Sequence, residues 1–287
     1  MTPSHIAMCA QLAMMLEVSA TPKPGNIDRD HNYVDTRFEH FLAGAVGVFP
    51  ILEKAARSDS GAGSLIREAV LESSKWQKGG NTHFGAFILL MPLVMAAGRC
   101  DDIACLKVQV QKIVRGTTVD DAVEFYRAFF EAGVKVKPVK DLDLTDAAST
   151  EKIRAQRLTL FNMMEISSGY DMIAEEWTNG FQKTFDCAAS IQNKINKHGI
   201  NDAIVFTFME LLSKYKDTFI QTKFDDRKAE EVSIRAENIL KKGEMGARMD
   251  DIYSFDDELI REGVNPGSTA DLIISGLFVS LFEGMRF

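Results

Sequence analysis

The sequence predicts an all-α protein, a multi-helix globular bundle, and three observations lead there. Apolar residues recur at i, i+3 and i+4 along most of the 287 residues. The two longest apolar runs, FLAGAVGVF and FGAFILLMPLVMAAG, have lengths that favour helices over buried strands. The one alternating stretch, GVKVKPVKDLDL, carries a proline and several lysines, which suits a surface loop better than a strand. That stretch is read as a hinge near residues 133–145 within one helical domain spanning 1–287.

Each helix follows from its own pattern. Residues 4–18 place Ile6, Met8, Leu12, Met14, Met15 and Leu16 largely on one face. Residues 38–56 continue with Phe41, Leu42, Ala45, Val46, Val48 and Leu52. Small residues at 43–45 and Gly47 allow close approach there, and Pro50 bends or restarts the helix. Helices are expected next at 64–75, 83–97, 103–114 and 118–132, the last opened by a Thr or Asp N-cap. The second half gives 150–167, 170–199 with a break, 201–215, 226–240, 249–261 and 269–283.

Composition narrows function by exclusion. Hydrophobic residues form 46% and charged residues 26% of the chain, as in an ordinary globular protein. A formal net charge of −8 opposes a general nucleic-acid or anionic-membrane surface, which must be neutralised by Lys and Arg. A phosphorylated small molecule stays open, because a few clustered cations suffice for it. Cys9, Cys100, Cys105 and Cys187 lie in apolar surroundings with neither C-x-x-C spacing nor a zinc-completing His, so four buried reduced thiols are expected. No apolar run reaches the ~18 residues of a membrane span and no basic leader opens the chain, which sets a cytoplasmic expectation.

Five stretches carry polar chemistry. In TPKPGNIDRDHNYVDTRFEHF, Pro22 and Pro24 extend the chain and Gly25 leaves its backbone bare to lay amides against an anion. Lys23 and Arg29 there suit phosphate oxygens, and Asp28 and Asp35 are hard donors for Mg²⁺. In KGGNTHFGAF, two glycines run into Asn81 and Thr82 at a helix start, an anion-site geometry with His83 on the first turn. SSGYDMIAEEWTNGF sets Asp171, Glu175 and Asn179 on one face. KDTFIQTK is the fourth. In GVNPGSTADLI, Pro266 and Gly267 turn the chain, Ser268 or Thr269 caps a helix, and Asp271 is expected in its first turn. Solvated turns and plain N-caps account for the same residues equally simply.

Taken together, the stretches resemble the triphosphoribosyl-dephospho-coenzyme A synthase family. EVSATPKPGNID resembles its proline-rich motif, GGNTHFGA its Gly-x-Asn-Thr-His motif, KDTFIQTK its Asp-Thr motif and NPGSTADL its Pro-Gly-x-x-Ala-Asp-Leu motif, in that order over residues 17–273. The resemblance implies transfer of the triphosphoribosyl group of ATP, or a related nucleotide, to an acceptor hydroxyl with release of adenine. Such a displacement at the anomeric carbon needs cations on the phosphates and a base for the hydroxyl. It further implies Lys23, Arg29 and Lys223 on phosphates. Asp28, Asp35 and Asp271 would serve Mg²⁺ or the acceptor proton, and Asn81 and His83 would position the substrates. Gly25, Thr82, Gly267 and Ser268 would complete the binding turns.

Three departures separate this chain from that pattern: Phe84 stands where Lys is expected, Phe219 where Asn is expected, and Lys223 where Arg is usual. DTRFEHF and YDMIAEEWTNGF are more similar to a branch found in archaea and in bacteria of one-carbon metabolism. There a small-molecule cofactor precursor of pterin or furan type is the expected acceptor. A non-catalytic helical protein that binds a nucleotide or cofactor is the alternative, and a homo-oligomer is left open.

Overall fold

The structure, a computed structural model, describes residues 1–80, 82–133, 149–242 and 245–287, without the side chains of 245–247. Those residues form fifteen helices and no strand, as the apolar periodicity requires. The first half holds α1 (Pro3–Ser19), α2 (Phe38–Gly47), α3 (Phe49–Arg57), α4 (Ala62–Ser74), α5 (Phe84–Ala97), α6 (Ile103–Arg115) and α7 (Val119–Ala132). The second holds α8 (Ser149–Gln156), α9 (Leu160–Ser167), α10 (Met172–Asn179), α11 (Gln182–Lys214), α12 (Thr218–Lys223), α13 (Asp226–Leu240), α14 (Met245–Glu262) and α15 (Gly267–Phe282).

Two helices that are apolar on nearly every side, α5 and α15, form the centre. They pack on each other, α15 also lies along α1 and α11, and α5 also meets α3, α4 and α6. Around them α4 packs on α7 and α13 on α11. Pro92 inside α5 has no N–H, so the Ile88 carbonyl one turn earlier loses its helical partner. The buried Trp177 indole of α10 donates to that carbonyl at 3.1 Å, which fixes α10 beside the start of α5.

Several expected boundaries shift for local reasons. The helix expected at 38–56 restarts at Val48, with Pro50 in the first turn of α3, where a missing N–H costs nothing. The helix expected at 150–167 is two: Arg157 adopts a φ of 54°, and Thr159 then caps α9 by accepting from the Asn162 N–H. The stretch 170–199 breaks at Gly180 and Phe181, both with positive φ. The buried Glu176 carboxylate there accepts from the Lys183 and Thr184 N–H groups and so caps α11. Gly199 kinks α11 rather than ending it. α12 was not expected as a helix, and α14 begins before residue 249. The hinge expected at 133–145 lies, beyond Gly133, outside the described residues.

Cys9 and Cys187 are buried free thiols as expected, but Cys100 and Cys105 are joined as a disulfide. The turn after α5 folds back on the first turn of α6 and brings them together at a spacing that no sequence signature covers. Among the described residues, no helix is long and apolar enough to cross a membrane.

Candidate active site

The last turn of α1 and the loop after it form a dense buried polar network. Lys23 is 0% exposed. Its ammonium donates to Glu17 Oε1, to Asn26 Oδ1 at 2.9 Å and to the Ile27 carbonyl at 3.1 Å. A buried ammonium needs such partners, because desolvation would otherwise outweigh every contact it makes. Burial pushes the Glu17 carboxyl above its ordinary range, and Lys23 pulls it back. Asp28, also fully buried, accepts from the Asp30 and His31 N–H groups at 2.9 Å each and closes the loop on itself.

The loop is tied outward at several points. Gly25 donates to Asp256 Oδ1 of α14 at 2.9 Å, and Asn26 Nδ2 donates to Asn265 Oδ1 at 2.9 Å. Thr36 Oγ1 donates to the Gly79 carbonyl at 3.0 Å. Gly25 has a φ of +74° and faces the Val264 carbonyl and Leu259, so no side chain fits there. Arg29 and Asp35 are exposed.

The second stretch leads into α5. His83 is 1% exposed and its Nδ1 lies 3.0 Å from Thr82 Oγ1, while its Nε2 is buried without a hydrogen-bond partner. Its ring meets Phe41 edge-on at 5.0 Å and Phe87 at 5.8 Å, and burial pulls its pKa down to about 3. The imidazole is therefore neutral at physiological pH. Asn81 lies outside the described residues. Gly85 follows, and its bare Cα faces Asp271 Oδ2; a Cβ at Gly85 would collide with that oxygen. The Ala86 N–H donates to the same carboxylate. Asp271 lies beyond the first turn of α15, not within it, and so points across to the first turn of α5 rather than capping its own helix.

Two further carboxylates join through helix caps. Asp171 caps α10 by accepting from the Ile173 N–H at 2.9 Å. Asp217 caps α12 through the Phe219 and Ile220 N–H groups, and its other oxygen accepts from the Thr269 N–H at 2.7 Å and Oγ1 at 2.8 Å. Thr218 links the two, with Oγ1 3.1 Å from Ser268 Oγ and 3.5 Å from Asp171 Oδ1. Burial raises all of these acids, Asp217 to about 6 despite its four donors. Asp271 is raised well above the carboxylate range, by burial first and then by the charges of Glu17, Asp217 and Asp171.

Three of the five polar stretches thus meet. The loop at 23–35 touches Asn265 and α14, its continuation touches Gly79, and Asp271 touches Gly85. Lys23 faces inward to Glu17, whereas Lys223 is exposed, donating weakly to the Gly263 carbonyl at 3.4 Å with its ammonium 6.0 Å from the Tyr33 ring. Ser268 is buried against Thr218, and Gly267 lies under the Phe219 ring.

Sequence reasoning passed over Glu17 and Asp217. Glu17 had a signal, an acid on the apolar side of a helix alongside Met14 and Val18; Asp217 had another, an Asp-Thr pair opening a short helix. The chemistry available is an acidic cluster with raised proton affinity, beside an unprotonated buried imidazole and the amide-rich starts of α5, α10 and α15.

Comparison with known proteins places the chain. The family model for ATP:dephospho-CoA triphosphoribosyl transferase matches residues 3–286. Proteins from two strains of Vibrio cholerae serotype O1, bearing the name 2-(5''-triphosphoribosyl)-3'-dephosphocoenzyme-A synthase, are each 25% identical over 289 residues. That alignment covers 94% of this chain and 86% of theirs. A crystal structure from Archaeoglobus fulgidus, bearing the name triphosphoribosyl-dephospho-coA synthase, superposes with a TM-score of 0.73 at 29% identity, covering 87% of this chain and 100% of that one. The chain belongs to the ATP:dephospho-CoA triphosphoribosyl transferase family and is a transferase of that type.

Proposed function

We propose that this transferase is Mg²⁺-dependent, takes ATP or a related phosphorylated nucleotide as donor, and passes the triphosphoribosyl group to a small cofactor precursor of pterin or furan type rather than to dephospho-coenzyme A. The observation that supports the metal is the buried setting of Asp271, raised by burial first and then by the negative charges of Glu17, Asp217 and Asp171 in its surroundings. Neither Asp271 nor Asp171 forms an ion pair among the described residues, and hard carboxylate oxygens left so suit a divalent cation. Asp271 and Asp171 would hold it, since Glu17 already faces Lys23 and Asp217 is saturated by four donors. Bound there with the nucleotide, Mg²⁺ would neutralise triphosphate charge.

The rest of the chemistry falls to the protein. In the transfer the bond from the anomeric carbon to adenine breaks, a bond to the acceptor oxygen forms, and the acceptor's proton leaves while adenine gains one. His83 Nε2, neutral and unpartnered, is suited to accept a hydrogen bond from the acceptor hydroxyl and so to orient it, its pKa of about 3 being too low for it to keep the proton. The starts of α5, α10 and α15 offer amides and positive dipole ends to phosphate oxygens. Lys223 adds an exposed cation.

The acceptor reading rests on Phe219 alone. Phe84 is 5% exposed and packs with Phe125 and Phe129, so it fills the core and leaves the acceptor untouched. Phe219 is 43% exposed over the Gly267 turn, where its face is open to a flat ring. The test is adenine release from ATP with dephospho-coenzyme A, pterin and furan precursors in parallel, with and without Mg²⁺. We expect turnover only with Mg²⁺ and a ring acceptor, and a loss of at least about a hundredfold in Asp271→Asn, in the range of removing one essential electrostatic group. Robust turnover of dephospho-coenzyme A would overturn the acceptor reading, and equal rates in EDTA would overturn the metal.

A further inference from the structure

A second ion-binding arrangement lies on the outer side of the N-terminal loop, where the loop meets α14. Its sequence origin is DRDH, in which Asp28 and His31 stand one turn apart, together with the first acid of FDDEL far along the chain. Asp28 Oδ1 accepts from the Asp30 and His31 N–H groups, and this closed turn carries the His31 ring back over the Asp28 carboxylate. Asp256 is brought to the same point because Gly25, bare and at positive φ, lets α14 approach the loop backbone and donates to Asp256 Oδ1.

The result is two fully buried carboxylates and one imidazole nitrogen facing one another. His31 Nδ1 lies 3.0 Å from Asp256 Oδ2 and 3.4 Å from Asp28 Oδ1, and one ligand atom from each residue falls within 4.8 Å of the others. Neither His31 Nδ1 nor Asp256 Oδ2 has a hydrogen-bond partner, although both atoms are buried. A single N–H on Nδ1 could satisfy at most one of the two carboxylates, and its approach to Asp256 does not have hydrogen-bond geometry. Buried carboxylates left this way need a compact positive charge at the centre.

An ion bonded at ~2.1 Å to each donor places cis ligands ~3 Å and trans ligands ~4.2 Å apart, the range these three atoms occupy. Two carboxylates and a neutral imidazole balance a divalent ion in charge. The other ring nitrogen, Nε2, faces the exposed Asp257 carboxylate at 3.9 Å, which favours a proton on Nε2 and leaves Nδ1 free to ligate. We infer that Asp28, His31 and Asp256 form a site for a divalent first-row transition-metal ion such as Zn²⁺ or Mn²⁺, which staples the N-terminal loop to α14. The nitrogen donor separates this site from an all-oxygen Mg²⁺ site. The inference does not depend on the proposed acceptor or on Mg²⁺ at Asp271.

The test is calorimetric titration of EDTA-stripped full-length protein with Zn²⁺, Mn²⁺ and Mg²⁺ separately, without nucleotide. One equivalent of Zn²⁺ or Mn²⁺ is expected to bind more tightly than Mg²⁺. His31→Gln and Asp256→Asn should each weaken it by about tenfold or more, and Asp271→Asn should leave it unchanged. The ion should also raise the melting temperature of wild type but not of His31→Gln. That variant replaces a partly exposed ring, and its circular dichroism in EDTA verifies that it folds. Absence of transition-metal binding, affinity unchanged in both His31→Gln and Asp256→Asn, Mg²⁺ binding as tightly as Zn²⁺, or loss of binding in Asp271→Asn would each overturn the assignment.

Discussion

His83 illustrates how far one residue's chemistry is set by burial. Its ordinary pKa of 6.5 falls to about 3 because burial strips away the hydration that an imidazolium needs. The folded value is depressed, so the neutral ring's contribution to stability is complete above pH 6.5 and is lost as the pH falls toward 3. Asp217, raised to about 6, works in the opposite sense, since its contribution is lost as the pH rises from about 4 to about 6. Comparison with His83→Gln isolates the histidine. Between pH 6.5 and 4 the wild-type melting temperature should fall more steeply with acidification than that of the variant. Parallel curves would mean that His83 is not buried neutral.

At the scale of elements, the acidic cluster exists because helices start where they do. Asp171 and Asp217 belong to it as N-caps, held by the amides of α10 and α12, and Asp271 belongs to it because the first turn of α5 has no side chain at residue 85. Gly85→Ala should gain about 1 kcal/mol of intrinsic helix preference and still be harmful. Its methyl group would occupy the space of Asp271 Oδ2, displacing the carboxylate from the Ala86 N–H. The expected outcome is a drop in adenine release of about tenfold or more, with the helical circular dichroism retained. Unchanged kinetics would show that Asp271 has room to move without consequence. The break between α8 and α9 and the kink at Gly199 are likewise element-scale events, each set by one residue at positive φ.

Across the whole molecule, two central apolar helices bring together polar segments that are far apart in the chain. α15 packs against α1 and α5, so the first turns of α5 and α15 and the last turn of α1 lie side by side. The same packing separates the two aromatic departures, one inward and one outward. Phe84→Ala should destabilise the protein by about 3–5 kcal/mol in urea unfolding, because it empties the Phe125 and Phe129 cluster. Phe219→Ala should change stability by no more than about 0.5 kcal/mol while raising the acceptor KM. If Phe219→Ala left the acceptor KM unchanged, the ring-stacking role would be lost.

The sequence alone determined the all-α class, because period 3.6 in apolar residues is a local property that survives without knowledge of partners. It also determined the family, because the motifs keep their order along the chain, and it located 226–240 to the residue through an Asp start and an unbroken amphipathic stripe. Direction was not legible. Lys23 and Arg29 look alike in a charged loop, yet one is sealed against Glu17 and the other exposed, and Phe84 and Phe219 look alike as aromatic departures, yet one is buried and the other exposed. Glu17, Asp217 and Asp256 stayed hidden because an acid's role depends on what faces it across the fold. The disulfide between Cys100 and Cys105 depended on a turn that no spacing rule announces. Tertiary packing decided these matters because burial, counter-charge and close approach are properties of pairs of segments, and those around Asp271 are joined only when α1, α5 and α15 come together.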